Sequence, residues 1–181
     1  SLAQHWAGTQ LGRTTEWMKL YREQPVVRGL VETFSANSWV TDSAAAASAR
    51  GGGRRVDSGR LNIDADKNPV TPLQTKLKAQ NVPLGLVTTA TITHATPAGF
   101  AVTVDERGKE EAIAEQYLER GVPVLLGGGR DFFKPALREK YAAAGYEQFA
   151  TRGELAAANP ASATPVLGTF AKSHLPFSID T

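Results

Sequence analysis

The sequence predicts an α/β protein with a mostly parallel central sheet flanked by helices. Three observations predict it. Strand-like and helix-like segments alternate along the chain. Two strand candidates, 84–89 (LGLVTT) and 122–126 (VPVLL), are compact apolar runs, as expected of parallel strands buried on both faces. The helix candidates carry their own start and stop signals, with proline near the beginning and glycine at the end.

Each element follows from its local sequence. The segment from Trp6 to Arg22 predicts a helix in its second half. Residues 26–35 (VVRGLVETFS) are rich in β-branched and aromatic side chains and predict a strand. Ser38 to Ser43 then leads into the alanine run 44–49. Alanine is the best helix former, and Thr41, Asp42 and Ser43 are natural N-cap types. A helix therefore starts near Ser43 and ends at Gly51-Gly52-Gly53. Residues 56–63 predict a loop or hairpin turning at Ser58-Gly59. Pro72 to Gln80 predicts a helix capped by Thr71, with Pro72 in its first turn. After the strand 84–89, Pro97 marks a place where a helix can begin, and Glu110 to Arg120 is amphipathic. The strand 122–126 is closed by Gly127-Gly128-Gly129. A helix from Pro135 to Ala144 stops at Gly145, and 146–150 and 166–170 are short strand candidates. The alanine- and proline-rich stretch 156–165 predicts a surface loop.

Bulk properties exclude several classes. The chain has 181 residues, 41% hydrophobic and 21% charged, which suits a globular domain with its own core. Twenty basic residues against 18 acidic ones leave a net charge of +2, so no nucleic-acid-binding field is expected. There is no cysteine, which excludes disulfides and thiolate metal sites. No apolar run approaches the roughly 20 residues that span a bilayer. No signal peptide is visible, and an opening Ser-Leu suggests a processed or truncated chain.

In α/β folds, ligands bind beyond the carboxyl ends of the strands. The turns 37–43 and 90–96 each follow a strand candidate, so both are expected to open on one edge. Ser43 sits where a helix N-terminus offers unpaired N–H groups and positive potential, a setting for a phosphate or for a nucleophile whose product is a phosphoester. A serine there also serves as a plain N-cap, and local sequence does not separate the two. His94 lies in a polar loop with Thr96 two residues on. They can face a metal together, or His94 can bond to backbone. Arg107 offers a planar fork for two phosphate oxygens, or a surface ion pair with its acidic neighbours. His5 and His174 have no companion at metal-ligand spacing and are read as structural. The glycine run before Arg130 lacks the Lys-Ser/Thr ending of a P-loop and is read as a turn. No Gly-x-Ser-x-Gly elbow surrounds a serine.

Together these segments carry a resemblance. Val40-Thr41-Asp42-Ser43 with its alanine run resembles the nucleophile segment of the alkaline phosphatases. Residues 85–89 leading to Thr93-His94-Ala95-Thr96-Pro97 resemble that family's magnesium-side loop, and 124–130 (VLLGGGR) its glycine-rich turn. Residues 167–180 (LGTFAKSHLPFSID) resemble the stretch that follows. The spacing of Ser43, His94 and Arg107 suits the family, and the likeness runs from about Pro25 to Asp180. It implies a metal-assisted phosphomonoesterase acting on phosphate monoesters. Ser43 would be the nucleophile and a zinc ligand, passing through a phosphoserine. Arg107 would grip the phosphate, and Asp42 would orient Arg107 and the nucleophile turn. Thr96 would bind magnesium, with His94 touching it directly or through water. Two Zn2+ and one Mg2+, a homodimer, and a periplasmic or extracellular location are likewise implied by the family.

The family's other metal ligands are not in the sequence. They comprise an aspartate in an Asp-Gly-Met-Gly-like turn upstream, and downstream a Glu…Asp…His cluster, an Asp-His pair and a further histidine. Residues 1–181 are therefore expected to form a partial alkaline phosphatase domain. Two other readings stand beside this one. A superfamily relative acting on other phosphate or sulfate esters is disfavoured by the Asp42-Ser43-alanine segment and by the absence of a Cys/Ser-x-Pro-x-Arg context. A degenerate, non-catalytic phosphate-binding module fits the missing ligands but not the retained Ser43, Thr96 and Arg107.

Overall fold

The structure is a computed structural model that describes residues 6, 8–12, 14, 16–25, 27, 29–159 and 163–177. His5 and residues 178–181 lie outside the described residues. The chain forms two compact units, residues 1–32 and 33–181. The first holds helix α1 (Glu16–Glu23), in the second half of the segment expected to be helical.

The second unit holds the sheet. Its strands are β1 (Gly85–Thr91), β2 (Val124–Gly128), β3 (Glu147–Phe149) and β4 (Val166–Thr169), in the order β1-β2-β4-β3. All three pairings are parallel. The expected α/β class is therefore the observed one. Helices α2 (Ser43–Gly52), α3 (Leu73–Lys78), α4 (Ala95–Ala98), α5 (Glu110–Arg120), α6 (Pro135–Ala143) and α7 (Arg152–Ala157) accompany it. Apolar side chains from both layers meet between them. Leu125 of β2, Leu167 of β4, and Ile113 and Tyr117 of α5 are fully buried in one cluster. Tyr117 and Tyr141 direct their hydroxyls to the carbonyls of Ile92 and Ala114 at 2.9 and 2.8 Å, so these buried polar tips are paired.

Several expectations need correction. Residues 27 and 29–35 form no strand, and Val27, Leu30 and Val31 are almost fully exposed. β-propensity reflects packing on a pleated, half-buried surface, and no described strand pairs with this run. The turn before Ser43 therefore follows an irregular segment, not a strand. Around Ser58-Gly59 the chain makes a turn with only isolated bridges, Leu61 to Val104 and Ile63 to Pro69. Pro72, not Thr71, occupies the N-cap of α3, and no side chain caps it. Pro97 lies inside the short helix α4 rather than opening it; its missing N–H falls in the first turn, where no intrahelical partner exists. β2 starts two residues later than expected and takes in Gly127 and Gly128, which pair with Thr169 of β4 and Thr91 of β1; Ser173 crosses so close to Gly128 that a Cβ there would meet its carbonyl. Only Gly129, at φ 90°, makes the turn. α7 extends to Ala157, into the stretch expected to be loop.

Candidate active site

The N-terminus of α2 is built by Asp42. Its backbone is extended, and its Oδ1 accepts from the Ala45 N–H at 2.9 Å, which makes it the N-cap. Gly53 closes the helix at φ 80°, its N–H reaching the Ala49 carbonyl. Ser43 is the first helical residue and is half-buried.

Small residues bring α4 and the glycine that ends it against this helix. A Cβ on Gly51 would meet the Gly99 carbonyl, and a Cβ on Gly99 would meet Ala47. Buried Asn62 ties the same region together, donating from Nδ2 to the carbonyls of Gly99 and Val102 at 2.8 and 2.7 Å, while its own N–H donates to Ser48 Oγ at 2.9 Å.

Asp42 also joins elements distant in sequence. Its Oδ2 accepts from the Gly59 N–H at 3.1 Å and from Arg107 NH1 at 3.0 Å. Arg107 is further held by its own N–H, which donates to the Gly59 carbonyl at 2.8 Å. Gly59 has φ 87°, a left-handed conformation that glycine adopts without steric cost. The second arm of the guanidinium, NH2, lies 3.1 Å from His94 Nε2. A guanidinium only donates, so Nε2 is the acceptor and His94 carries its proton on Nδ1.

The electrostatics agree with this arrangement. Burial alone would raise the Asp42 pKa. The N–H of Ala45, the Arg107 guanidinium and the N–H groups of Gly59 and Ala44 outweigh it and hold the carboxyl below its ordinary value. Burial lowers the His94 pKa, and neighbouring Arg107 and then His174 lower it further against the opposing charge of Glu110. His94 is thus kept neutral, as its contact with Arg107 requires.

The turn that presents His94 is clamped from two sides. Glu110, first residue of α5, accepts on Oε2 from Thr91 Oγ1 at 2.8 Å and from Thr93 Oγ1 at 2.6 Å. His174 Nδ1 accepts from the Thr91 N–H at 3.0 Å, and its ring meets that of His94 edge-on at 5.8 Å. His174 is carried there by residues 171–175, which run from the end of β4 back over β2 to β1. Gly129 N donates to the Ser173 carbonyl at 2.9 Å and Leu175 N to the Thr89 carbonyl at 2.8 Å.

The fold thus gathers Asp42, His94 and Arg107 into one chain of contacts beside Ser43. Thr96 stands apart from these contacts. It is exposed, in the first turn of α4, and lines an open groove of about 360 Å³ with Leu73, Val87 and Phe100. Three participants escaped the sequence reading. His174 has a histidine neighbour after all, Glu110 is more than the start of an amphipathic helix, and Gly59 is more than a turn. Each reaches the site across a long sequence separation, so no local signal marks it.

The alkaline phosphatase family model matches residues 1–181. The chain belongs to the alkaline phosphatase family. An alkaline phosphatase of Thermus thermophilus superposes with a TM-score of 0.86 at 42% identity, over 98% of this chain and 38% of that one. The streptomycin-6-phosphate phosphatase of Streptomyces griseus is 35% identical over 76% of this chain and 37% of its own length. A histidine-to-aspartate variant of an alkaline phosphatase from the Antarctic bacterium TAB5, described with Mg bound in its M3 site, superposes with a TM-score of 0.73 at 25% identity, over 82% of this chain and 44% of that one. The chain spans well under half the length of these relatives.

The family's metals can be tested against this chain's donors. Among the described residues, no three histidine, cysteine, aspartate or glutamate side chains converge to hold a metal. The free acceptor of His94 faces Arg107, and Ser43 and Thr96 offer only hydroxyls. A catalytic zinc takes about three protein ligands, typically histidine or carboxylate. These residues do not by themselves fit one.

Proposed function

We propose that this chain supplies the nucleophile and the phosphate grip of a longer enzyme that hydrolyses phosphate monoesters through a phosphoserine. The observation that carries the reading is the Arg107–Asp42 contact, which fixes a guanidinium against the residue preceding Ser43 at the mouth of α2. An incoming phosphate monoester meets Arg107, whose remaining N–H groups bind two non-bridging oxygens. The Ser43 oxygen attacks phosphorus, its proton passes to solvent water, and the bond from phosphorus to the leaving oxygen breaks. The departing alcohol takes up a proton. Water then attacks the phosphoserine, the Oγ–P bond breaks, and phosphate and free Ser43 result. Throughout, Arg107 opposes the charge that builds on the phosphoryl oxygens. Asp42 and His94 keep the guanidinium in place without competing for phosphate as bidentate partners, since each touches only one arm.

Family membership supports dependence on zinc and magnesium. In this reading most metal ligands come from the rest of the longer enzyme, with the hydroxyls of Ser43 and Thr96 on the near side and His94, whose acceptor faces Arg107, reaching a metal only through water. Membership likewise supports a periplasmic or secreted setting and a homodimer. No described helix is long and apolar enough to cross a membrane.

Trapping tests the reading. The full-length enzyme is quenched in mild acid with labelled phosphate, digested and mapped. Label on the Ser43 peptide, absent in Ser43→Ala, is the expected outcome. Label elsewhere, or full turnover by Ser43→Ala, overturns it. Phosphate binding without turnover in the full-length protein points instead to a non-catalytic phosphate-binding module.

A further inference from the structure

We infer that Glu110 is a positioning residue for the phosphate grip, acting through the Thr91–His94 turn on Arg107. The inference rests on the reading of Arg107 given above and goes beyond it by naming what holds the grip.

Thr91 and Thr93 are buried, and both hydroxyls donate to the same Glu110 oxygen, at 2.8 and 2.6 Å. Bonds from hydroxyls to a carboxylate are short and about twice as strong as neutral ones. Losing one such partner inside the fold leaves two buried hydroxyls without an acceptor. Between these threonines the turn has few other ways to sit, because the Ile92 N–H donates to the Gly128 carbonyl and the Ile92 carbonyl accepts from Tyr117. His94 follows Thr93 directly, and its N–H closes the turn on the Thr91 carbonyl at 2.9 Å. The imidazole leaving this turn is the one that meets Arg107. Displacing the turn therefore releases one of the two side chains that orient the guanidinium.

Glu110 is well placed for this duty. It occupies the first position of an 11-residue helix, where a carboxylate is favoured by the helix dipole. α5 in turn is anchored in the core by Ile113 and Tyr117. The chain of contacts thus runs from a rigid helix through two threonines and His94 to Arg107. The Asp42 contact holds the opposite arm.

A double-mutant cycle in the full-length enzyme tests it, read as kcat/KM and as inhibition by inorganic phosphate. Glu110→Ala is expected to lower kcat/KM and weaken phosphate inhibition by about tenfold, the scale of coupling within one hydrogen-bond network. Glu110→Gln, whose amide oxygen still accepts, is expected to recover most of that loss. In an Arg107→Ala background the same Glu110→Ala change should cost little more. Thr93→Val supplies a second, milder break in the same link if Glu110→Ala fails to fold. Equal losses in both backgrounds, unaltered phosphate inhibition, or no rescue by glutamine overturns the positioning role while leaving the assigned chemistry intact. An Arg107→Ala enzyme with parental phosphate inhibition overturns the reading of Arg107, and this proposal with it.

Discussion

Asp42 combines three duties on two oxygens: it caps α2, fixes Gly59 and holds Arg107. Its depressed pKa sets a pH dependence. A carboxyl whose folded pKa lies below the unfolded one adds stability that is complete above the unfolded value and is lost as pH falls through the folded value. The stability advantage of the parent over Asp42→Asn is therefore expected to hold at neutral pH and to shrink below about pH 4, the ordinary aspartate range. Thermal unfolding of both across pH checks this, and an advantage that grows in acid would contradict it. Arg107 gives the companion prediction in the full-length enzyme. Arg107→Ala should lower the rate on the order of 10²–10³-fold, the loss expected for one transition-state donor. Arg107→Lys should recover only part, since an ammonium cannot bridge Asp42, His94 and a phosphate as a planar fork does. Steady-state kinetics of the two variants decide it.

At the scale of elements, the site depends on how closely α2 and α4 approach. Gly51, Gly99 and Ala47 leave no room for further carbon atoms between them. Alanine would ordinarily favour a helix over glycine by about 1 kcal/mol. At Gly51 the clash with the Gly99 backbone should reverse that, giving a net loss of about 1–3 kcal/mol, the usual cost of overpacking. Urea unfolding of Gly51→Ala measures it, and a stabilised variant would show that the helices can part without cost. The same contact explains what could be read along the chain. The capped alanine helix was legible because its cap and its alanines are neighbours in sequence. Its partner on α4 was not, because glycine at 51 and 99 signals closeness only after both are placed.

At the scale of the molecule, β2 lies between β1 and β4, and Leu125, its second residue, is fully buried. Leu125→Ala should cost about 2–5 kcal/mol, a transfer loss plus a cavity, and denaturant unfolding will report it. Metal content is the second test at this scale. The 181-residue chain alone is expected to retain no tightly bound zinc after dialysis, given the dispersed donors among its described residues. Two tightly held zinc ions per chain would mean that ligands have been misplaced.

The sequence by itself determined the parallel α/β class, the position of α5, the capped turn at Asp42-Ser43 and the family. Those features are written in periodicity, propensity and motif, which act between near neighbours. The tertiary structure alone decided that residues 27 and 29–35 form no strand, since strand propensity counts only when a partner edge is present. It alone decided that His94 turns its acceptor to Arg107, and that Glu110, His174 and Gly59 join them. Hydrogen bonds such as Thr91 to His174 close loops of many residues, and which long loops close depends on packing of the whole core rather than on any segment within it.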